Sequence, residues 1–382
     1  MTRVDRLVTA GALFLVAFLV TALPFERSGF DFGNTVSFLT TFLTTVAIYG
    51  IFVLALNVQW GYTGVFNFGV AAFFMVGAYT AALVTKSPDD SEFVQYIGGL
   101  GDFLSPAVLD SEEWLRFVVG TAAAGLASGF LAFLLALPTL RLREDYLAIA
   151  TIGIAEVLRR MVIEEDSVVN GTNGLVGIPR PLGGWFEPAD YKYAMLVIAV
   201  AVLVLVFIAV ERGIRSPWGR VLRALKEDED VVEASGKNVF AFKMQGFVLG
   251  AVIMGIGGSV YAYARGSIGP DSFSHFFATF LFWAMLIVGG SGNNWGAVAG
   301  VFFVWGIWNI SLQLNGYDMP GPLQTRVFYI RDFLIGTMLV LVLLLRPQGL
   351  LPEERRVSMW VDRRMRRLKR EQPPPATGEA QP

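Results

Sequence analysis

Ten mainly apolar stretches, each about the ~20 residues a helix needs to cross a bilayer, follow one another along the chain. Inside hydrocarbon, every backbone N–H and C=O must find a partner within its own segment, so such stretches are confined to helices. They run Leu7–Leu23, Val36–Val58, Val65–Val84, Leu115–Leu137, Tyr146–Ile163, Tyr191–Val210, Lys243–Ala264, Phe273–Val288, Gly296–Leu314 and Val327–Leu345. The expected architecture is all-α: a polytopic integral membrane protein of about ten transmembrane helices. Composition agrees, because 16% of residues are charged against roughly 25% in a soluble domain. No small-x-small cleavage site precedes Pro24, so the first stretch reads as a retained span rather than a signal peptide.

Basic residues set the orientation. With the N-terminus in the cytoplasm and ten alternating spans, 20 of the 30 Lys and Arg residues fall inside, and the C-terminus is cytoplasmic too. Arg159, Arg160, Arg326 and Arg331 are among the ten exceptions. The two long outside segments, Thr85–Trp114 and Glu164–Asp190, are acidic. The chain divides into a membrane domain, residues 1–345, and a basic tail, residues 346–382. The run Arg363–Arg370 in that tail suits an anionic inner leaflet.

Several chemistries are excluded. The chain has no Cys and a single His, His275, so thiol nucleophiles and His-based metal sites or triads have no basis. No phosphate-cradling Gly-x-x-x-x-Gly-Lys-Ser/Thr loop occurs. A net charge of −2 gives no electrostatic reason to bind nucleic acid.

The informative polar segment is the cytoplasmic insert at residues 211–242. Ser216-Pro217 reads as a hydroxyl N-cap with Pro in the first turn, and Gly236 as a C-cap. Val221, Leu222 and Leu225 make an apolar stripe among Arg220, Arg223 and Lys226. A short amphipathic helix of this kind either docks in a partner's groove or lies on lipid. Within the membrane stretches, Asn57, Gln59, Asn67 and Glu156 are costly polar residues that face a bundle interior or a water-filled path. Gly61, Gly64 and Gly69 suggest a broken helix there. Asn57 and Asn67 read equally as helix–helix bonds or path lining. Glu156 reads as an ion pair with Arg159 or Arg160, or as a translocation contact. The Gly-x-x-x-Gly pairs at 125/129, 246/250 and 296/300 are close-packing motifs, within the chain or at a dimer seam. Asn170-Gly171-Thr172 fits a tight turn better than a glycosylation site.

Five motifs in order resemble the permeases of branched-chain amino acid ATP-binding-cassette (ABC) importers. They are Leu56–Tyr79, with Trp60-Gly61-Tyr62-Thr63-Gly64 and Phe68-Gly69; Leu140–Thr151; Thr172–Pro179; the insert; and Arg346-Pro347-Gln348-Gly349-Leu350-Leu351. The resemblance implies a non-catalytic subunit of a bacterial or archaeal cell membrane. Its implied partners are a second permease, two cytoplasmic ATPases that bind the ATP, an external solute-binding protein and the bilayer. No cofactor of its own is implied. ATPase coupling would fall to Gly219, Arg220, Arg223, Leu225, Glu229, Glu233, Ala234 and Gly236. The translocation path would involve Asn57, Gly61, Thr63, Gly64, Asn67, Gly69 and Glu156. The binding protein would dock on Asn173, Gly174, Gly177 and Pro179. The chain departs from the family pattern at Val65, Asn67 and Val70, where Gln, Ser and His are usual, and at Val231-Val232, where Ala-Ala is usual. Leucine, isoleucine and valine are the expected cargo, with urea, short amides or other amino acids as the alternative. An ion-coupled carrier would want paired acids deep in the membrane, and Glu156 is nearly alone there.

Overall fold

A computed structural model describes residues 3–27, 31–86, 112–314, 326–346 and 348–353. Most of the segment 85–114 and the basic run at 363–370 lie outside the described residues. The chain is mostly helical, with α1 at Arg3–Arg27, α2 at Phe32–Leu56, α3 at Val70–Thr85, α4 at Glu113–Thr139, α5 at Glu144–Glu164 and α6 at Tyr191–Arg215. The insert carries α7 (Pro217–Glu227) and α8 (Glu229–Ala234). Then follow α9 (Val239–Arg265), α10 (Leu281–Gly289), α11 (Asn294–Leu314) and α12 (Val327–Leu345).

Each of the ten apolar stretches falls on a helix, but the helices are unequal. Among the described residues, four are long and apolar enough to cross a membrane: Phe32–Tyr62, Glu113–Thr139, Tyr191–Arg215 and Val239–Arg265. Two are shorter than expected. The stretch 65–84 becomes helical only at Val70, and the stretch 273–288 only at Phe276, where a π-helical turn leads into α10. At 1.5 Å per residue, the 16 residues of α3 reach about 24 Å, short of the roughly 30 Å hydrocarbon core. In their place stand the irregular backbone of residues 63–69 and, before Phe276, a short strand and a 3-10 turn at Pro270–Phe273.

Helix α9 is the central post, packed against α2, α3 and α4; α2 also meets α6 and α11. Small residues allow this, as expected where lipid removes much of the hydrophobic drive between helices. A Cβ on Gly77 of α3 would lie 2.4 Å from the Gly255 carbonyl of α9. The three Gly-x-x-x-Gly pairs all pack within the chain: 125/129 on Val252, 246/250 on Thr63 and Gln59, and 296/300 on Gly289 and its neighbours. Above these contacts sits an aromatic core in which Phe52 stacks on Phe282 at 4.9 Å, with Phe74 beside both.

Contacts sort the connections into two opposite ends. At one end a two-stranded antiparallel ribbon pairs β1 (Leu175–Val176) with β2 (Ser267–Ile268). Lys86 Nζ donates to the Val176 carbonyl there at 2.6 Å, and Glu113 accepts from Gly184 N. At the other end lie the insert, the α4–α5 turn, residues 290–293 and the segment 348–353. Arg141 stands over Phe240, and Glu211 accepts from Asn294 Nδ2 at 2.8 Å.

Candidate functional site: the insert and the break after α2

The end of α2 is where regular backbone fails. Residues Asn57–Tyr62 form a π-helical turn, a widened ladder that recurs at functional sites. The cause is local. The side chain of Asn57 folds back so that its Oδ1 would lie 1.9 Å from a Cβ on Gly61. That oxygen accepts from Gly292 N at 2.8 Å, while Asn57 Nδ2 donates to Asn294 Oδ1 at 3.0 Å. Gly64, at φ +77°, then turns the chain into the left-handed region that a side chain disfavours.

The break is pinned by a buried amide network. Gln59 Nε2 donates to the Phe247 carbonyl at 2.7 Å. Asn67 Nδ2 donates to Gln59 Oε1 at 2.8 Å, and Asn67 Oδ1 accepts from Gly69 N. Trp283 Nε1 closes the set by donating to the Asn67 carbonyl at 3.0 Å. Thr63 Oγ1 donates back to the Val58 carbonyl, and the Phe68 amide donates to Thr151 Oγ1 on α5. Asn57, Gln59 and Asn67 are fully buried. The Asn57 side chain bonds across to the start of α11, while that of Asn67 bonds within the break, to Gln59 and Gly69. Val65 and Val70 are likewise buried.

The insert folds as two short helices. Pro217 opens α7, but Ser216 does not cap it. Its hydroxyl turns back and donates to the Gly213 carbonyl at 2.6 Å, satisfying the end of α6 instead of the start of α7. Asp228 caps α8 by accepting from Val231 N. Gly236, at φ +79°, follows α8 with its N–H on the Glu233 carbonyl and the Lys237 N–H on the Val232 carbonyl. This is the paired-bond helix stop that favours glycine.

The insert has two faces. Gly219, Leu222, Leu225 and Val232 are buried against the rest of the chain. A Cβ on Gly219 would meet the Ile214 carbonyl at 2.3 Å. Arg223 donates to that same carbonyl, and Glu229 is ion-paired with Lys243 of α9. Gly219, Leu225, Arg223 and Glu229 therefore hold the insert to its own chain. Arg220, Val231, Glu233, Ala234 and Gly236 are exposed, Val231 to 63%.

One side chain joins insert to break. Lys226 Nζ donates to the Gly61 carbonyl at 2.8 Å and pairs with Glu353 at 3.1 Å. Its Cα lies 3.5 Å from where a Cβ on Gly64 would stand. The Gly61 carbonyl is freed by the π turn, and the ammonium satisfies it.

The remaining expected residues lie elsewhere. Glu156, further along α5, accepts from Arg159 Nε and Arg160 Nε at 3.0 and 2.8 Å, so both pairings form together. His275 Nε2 stands 3.2 Å away without hydrogen-bond alignment. At the ribbon end, Asn173 and Gly177 are exposed, Gly174 is buried and Pro179 is half-buried. Asn170 holds the left-handed turn at φ 60° and donates from Nδ2 to the Gly174 carbonyl, so its amide is engaged inside the loop.

Sequence reasoning did not select Lys226, Gly292, Asn294, Glu211, Glu353 or Trp283 for this site. Lys226 had a signal, a cation on the buried side of an amphipathic helix; the others are partners across more than 60 residues.

The family model described as "Branched-chain amino acid transport system / permease component" matches residues 38–343. The permease protein LivM of the high-affinity branched-chain amino acid transport system from Escherichia coli is 30% identical over 367 residues, 90% of this chain and 75% of the relative. Its Salmonella typhimurium counterpart is 29% identical over 369 residues, with the same shares covered. A probable branched-chain amino acid transport permease protein LivM from Methanocaldococcus jannaschii is 28% identical over 337 residues, 84% of this chain and 95% of the relative. No solved structure matches significantly. The chain belongs to the family of permease components of branched-chain amino acid transport systems.

Proposed function

We propose that this chain forms half of the transmembrane pathway of an ABC importer for leucine, isoleucine and valine. A second, related permease supplies the other half. Two cytoplasmic ATPases dock on the exposed face of the insert, and an external binding protein delivers cargo to the ribbon end. On this reading all ten apolar helices take part in a multi-pass subunit of the cell membrane, with the insert end and both termini cytoplasmic. The chain hydrolyses nothing; energy enters as rigid-body motion of α7 and α8.

The observation that supports this most is the Lys226–Gly61 bond at 2.8 Å. An insert lying passively on lipid has no need of a charged bond into a broken membrane helix. A rigid insert tied to that break turns displacement by a partner into displacement of Asn57–Gly69. The branched-chain cargo follows the names of the relatives.

The test is uptake of labelled leucine and labelled urea by cells with and without this chain, with ATP intact and depleted. Leucine uptake that needs both chain and ATP is expected. Urea uptake instead would keep the mechanism and change the cargo. ATP-independent uptake would overturn the coupling.

A further inference from the structure

A cavity of about 550 Å³ is walled by α2, the end of α9, the turn after it and α11. Small-molecule sites typically measure about 300–1,000 Å³. Its chemistry has two parts. One wall is aromatic: Tyr49 meets Trp305 edge-on at 4.9 Å, Trp305 stacks with Trp308 at 5.9 Å, and Phe277 meets Trp308 edge-on at 5.4 Å. The buried Trp305 Nε1 has no hydrogen-bond partner in the structure. The other wall carries two opposite charges, Arg265, the last residue of α9, and Asp271, in the turn that begins at Pro270.

These charges are not spent on each other. Among the described residues neither forms an ion pair. Arg265 lies over the Tyr261 ring, and both charged residues line the cavity and are exposed. A neighbouring cavity of about 250 Å³ shares Arg265 but adds Arg180 and Lys192 and has no carboxylate. Of these two, the larger offers a cation, an anion and an apolar wall together.

We propose that this cavity is a subsite for a small zwitterion with an apolar side chain, an α-amino acid of aliphatic type. Arg265 takes the carboxylate, Asp271 the ammonium, and the Trp305–Trp308–Phe277 wall the side chain. Taking a zwitterion out of water is tolerable only where both charges are met. Because both protein charges stay partly hydrated, each contact is modest and binding is weak. A weak site at the ribbon end suits cargo that must be received and passed on. The proposal rests on the importer reading only for its direction of travel and its cargo.

The cysteine-free chain permits a direct test. Ser272 lines the cavity, so Ser272→Cys places one thiol in this subunit. Maleimide labelling of that band is followed in the reconstituted complex, with leucine uptake measured in parallel. Leucine is expected to slow labelling. At equal concentration, 4-methylpentanoate, which lacks the ammonium, and isoamylamine, which lacks the carboxylate, are expected to protect much less. Adding Arg265→Gln or Asp271→Asn should raise the half-protecting leucine concentration about fivefold, the loss of one part-exposed ion pair. Leucine uptake without protection overturns the subsite and leaves the importer reading standing. Protection equal for all three solutes also overturns it. Absence of leucine uptake with zwitterion-dependent protection supports the subsite and overturns the cargo assignment.

Discussion

Lys226 of the insert donates to the backbone carbonyl of Gly61, at 2.8 Å, across 165 residues of sequence. The acceptor is free because α2 ends in a π turn, and the donor faces it because Gly219, Leu222 and Leu225 bury the same side of α7. Helix break and insert are thus joined directly.

That junction has no room for a side chain at position 61. A Cβ there would lie 1.9 Å from Asn57 Oδ1 and 2.7 Å from Gly292 N. Gly61→Ala is expected to cost about 1–3 kcal/mol through overpacking. The measurement is thermal stability of the detergent-solubilised subunit, which should fall. Gly64→Ala, limited by its φ of +77° rather than by contact, should cost about 1 kcal/mol.

Asn57 holds the turn through two bonds, to Asn294 and to Gly292 N. Asn57→Leu keeps the bulk but strands buried polar partners, at about 1–3 kcal/mol. Hydrogen exchange at the Gly292 amide should accelerate. Unchanged exchange would mean that another group supplies the acceptor.

Val231 presents an exposed apolar side chain, while Val232 beside it is buried. Val231→Asp should leave subunit stability within about 0.5 kcal/mol, as for most surface changes. Co-purification of the ATPases should weaken about tenfold, because a groove that takes Val must desolvate a carboxylate. A variant that retains its ATPases fully would show that they dock elsewhere.

Glu156 bears on the ion-coupled alternative. It is engaged by Arg159 and Arg160, an arrangement worth little where side chains reach solvent. Glu156→Gln is expected to keep ATP-driven leucine uptake within about threefold. Loss of uptake together with protonophore sensitivity would favour a proton-coupled carrier.

Each apolar stretch read from hydropathy meets a helix, because backbone in an apolar setting closes its bonds most simply in helices, but four of those helices among the described residues are long and apolar enough to span. Hydropathy overestimated two helices because the same composition covers residues 65–69, just after the left-handed Gly64, and 273–275, just after the turn that begins at Pro270. Caps were legible only in part. Gly236 behaves as its residue type requires, whereas the Ser216 hydroxyl had two nearby helix ends to serve and serves α6. Gly61, Gly64 and Gly69 marked the break. Its partners were not legible, because Phe247, Trp283, Gly292 and Asn294 meet it only after the chain has folded back, and nothing local distinguishes them.

The central claim is tested most directly by Lys226→Met in proteoliposomes holding the complete transporter, with leucine import and ATP hydrolysis measured together. A charge-assisted bond of this kind contributes about 1.5–3 kcal/mol. Its loss should cut leucine imported per ATP hydrolysed by about tenfold or more, while the ATPases stay bound and hydrolysis continues. Import per ATP equal to that of the unaltered chain would contradict transmission through Lys226 and Gly61.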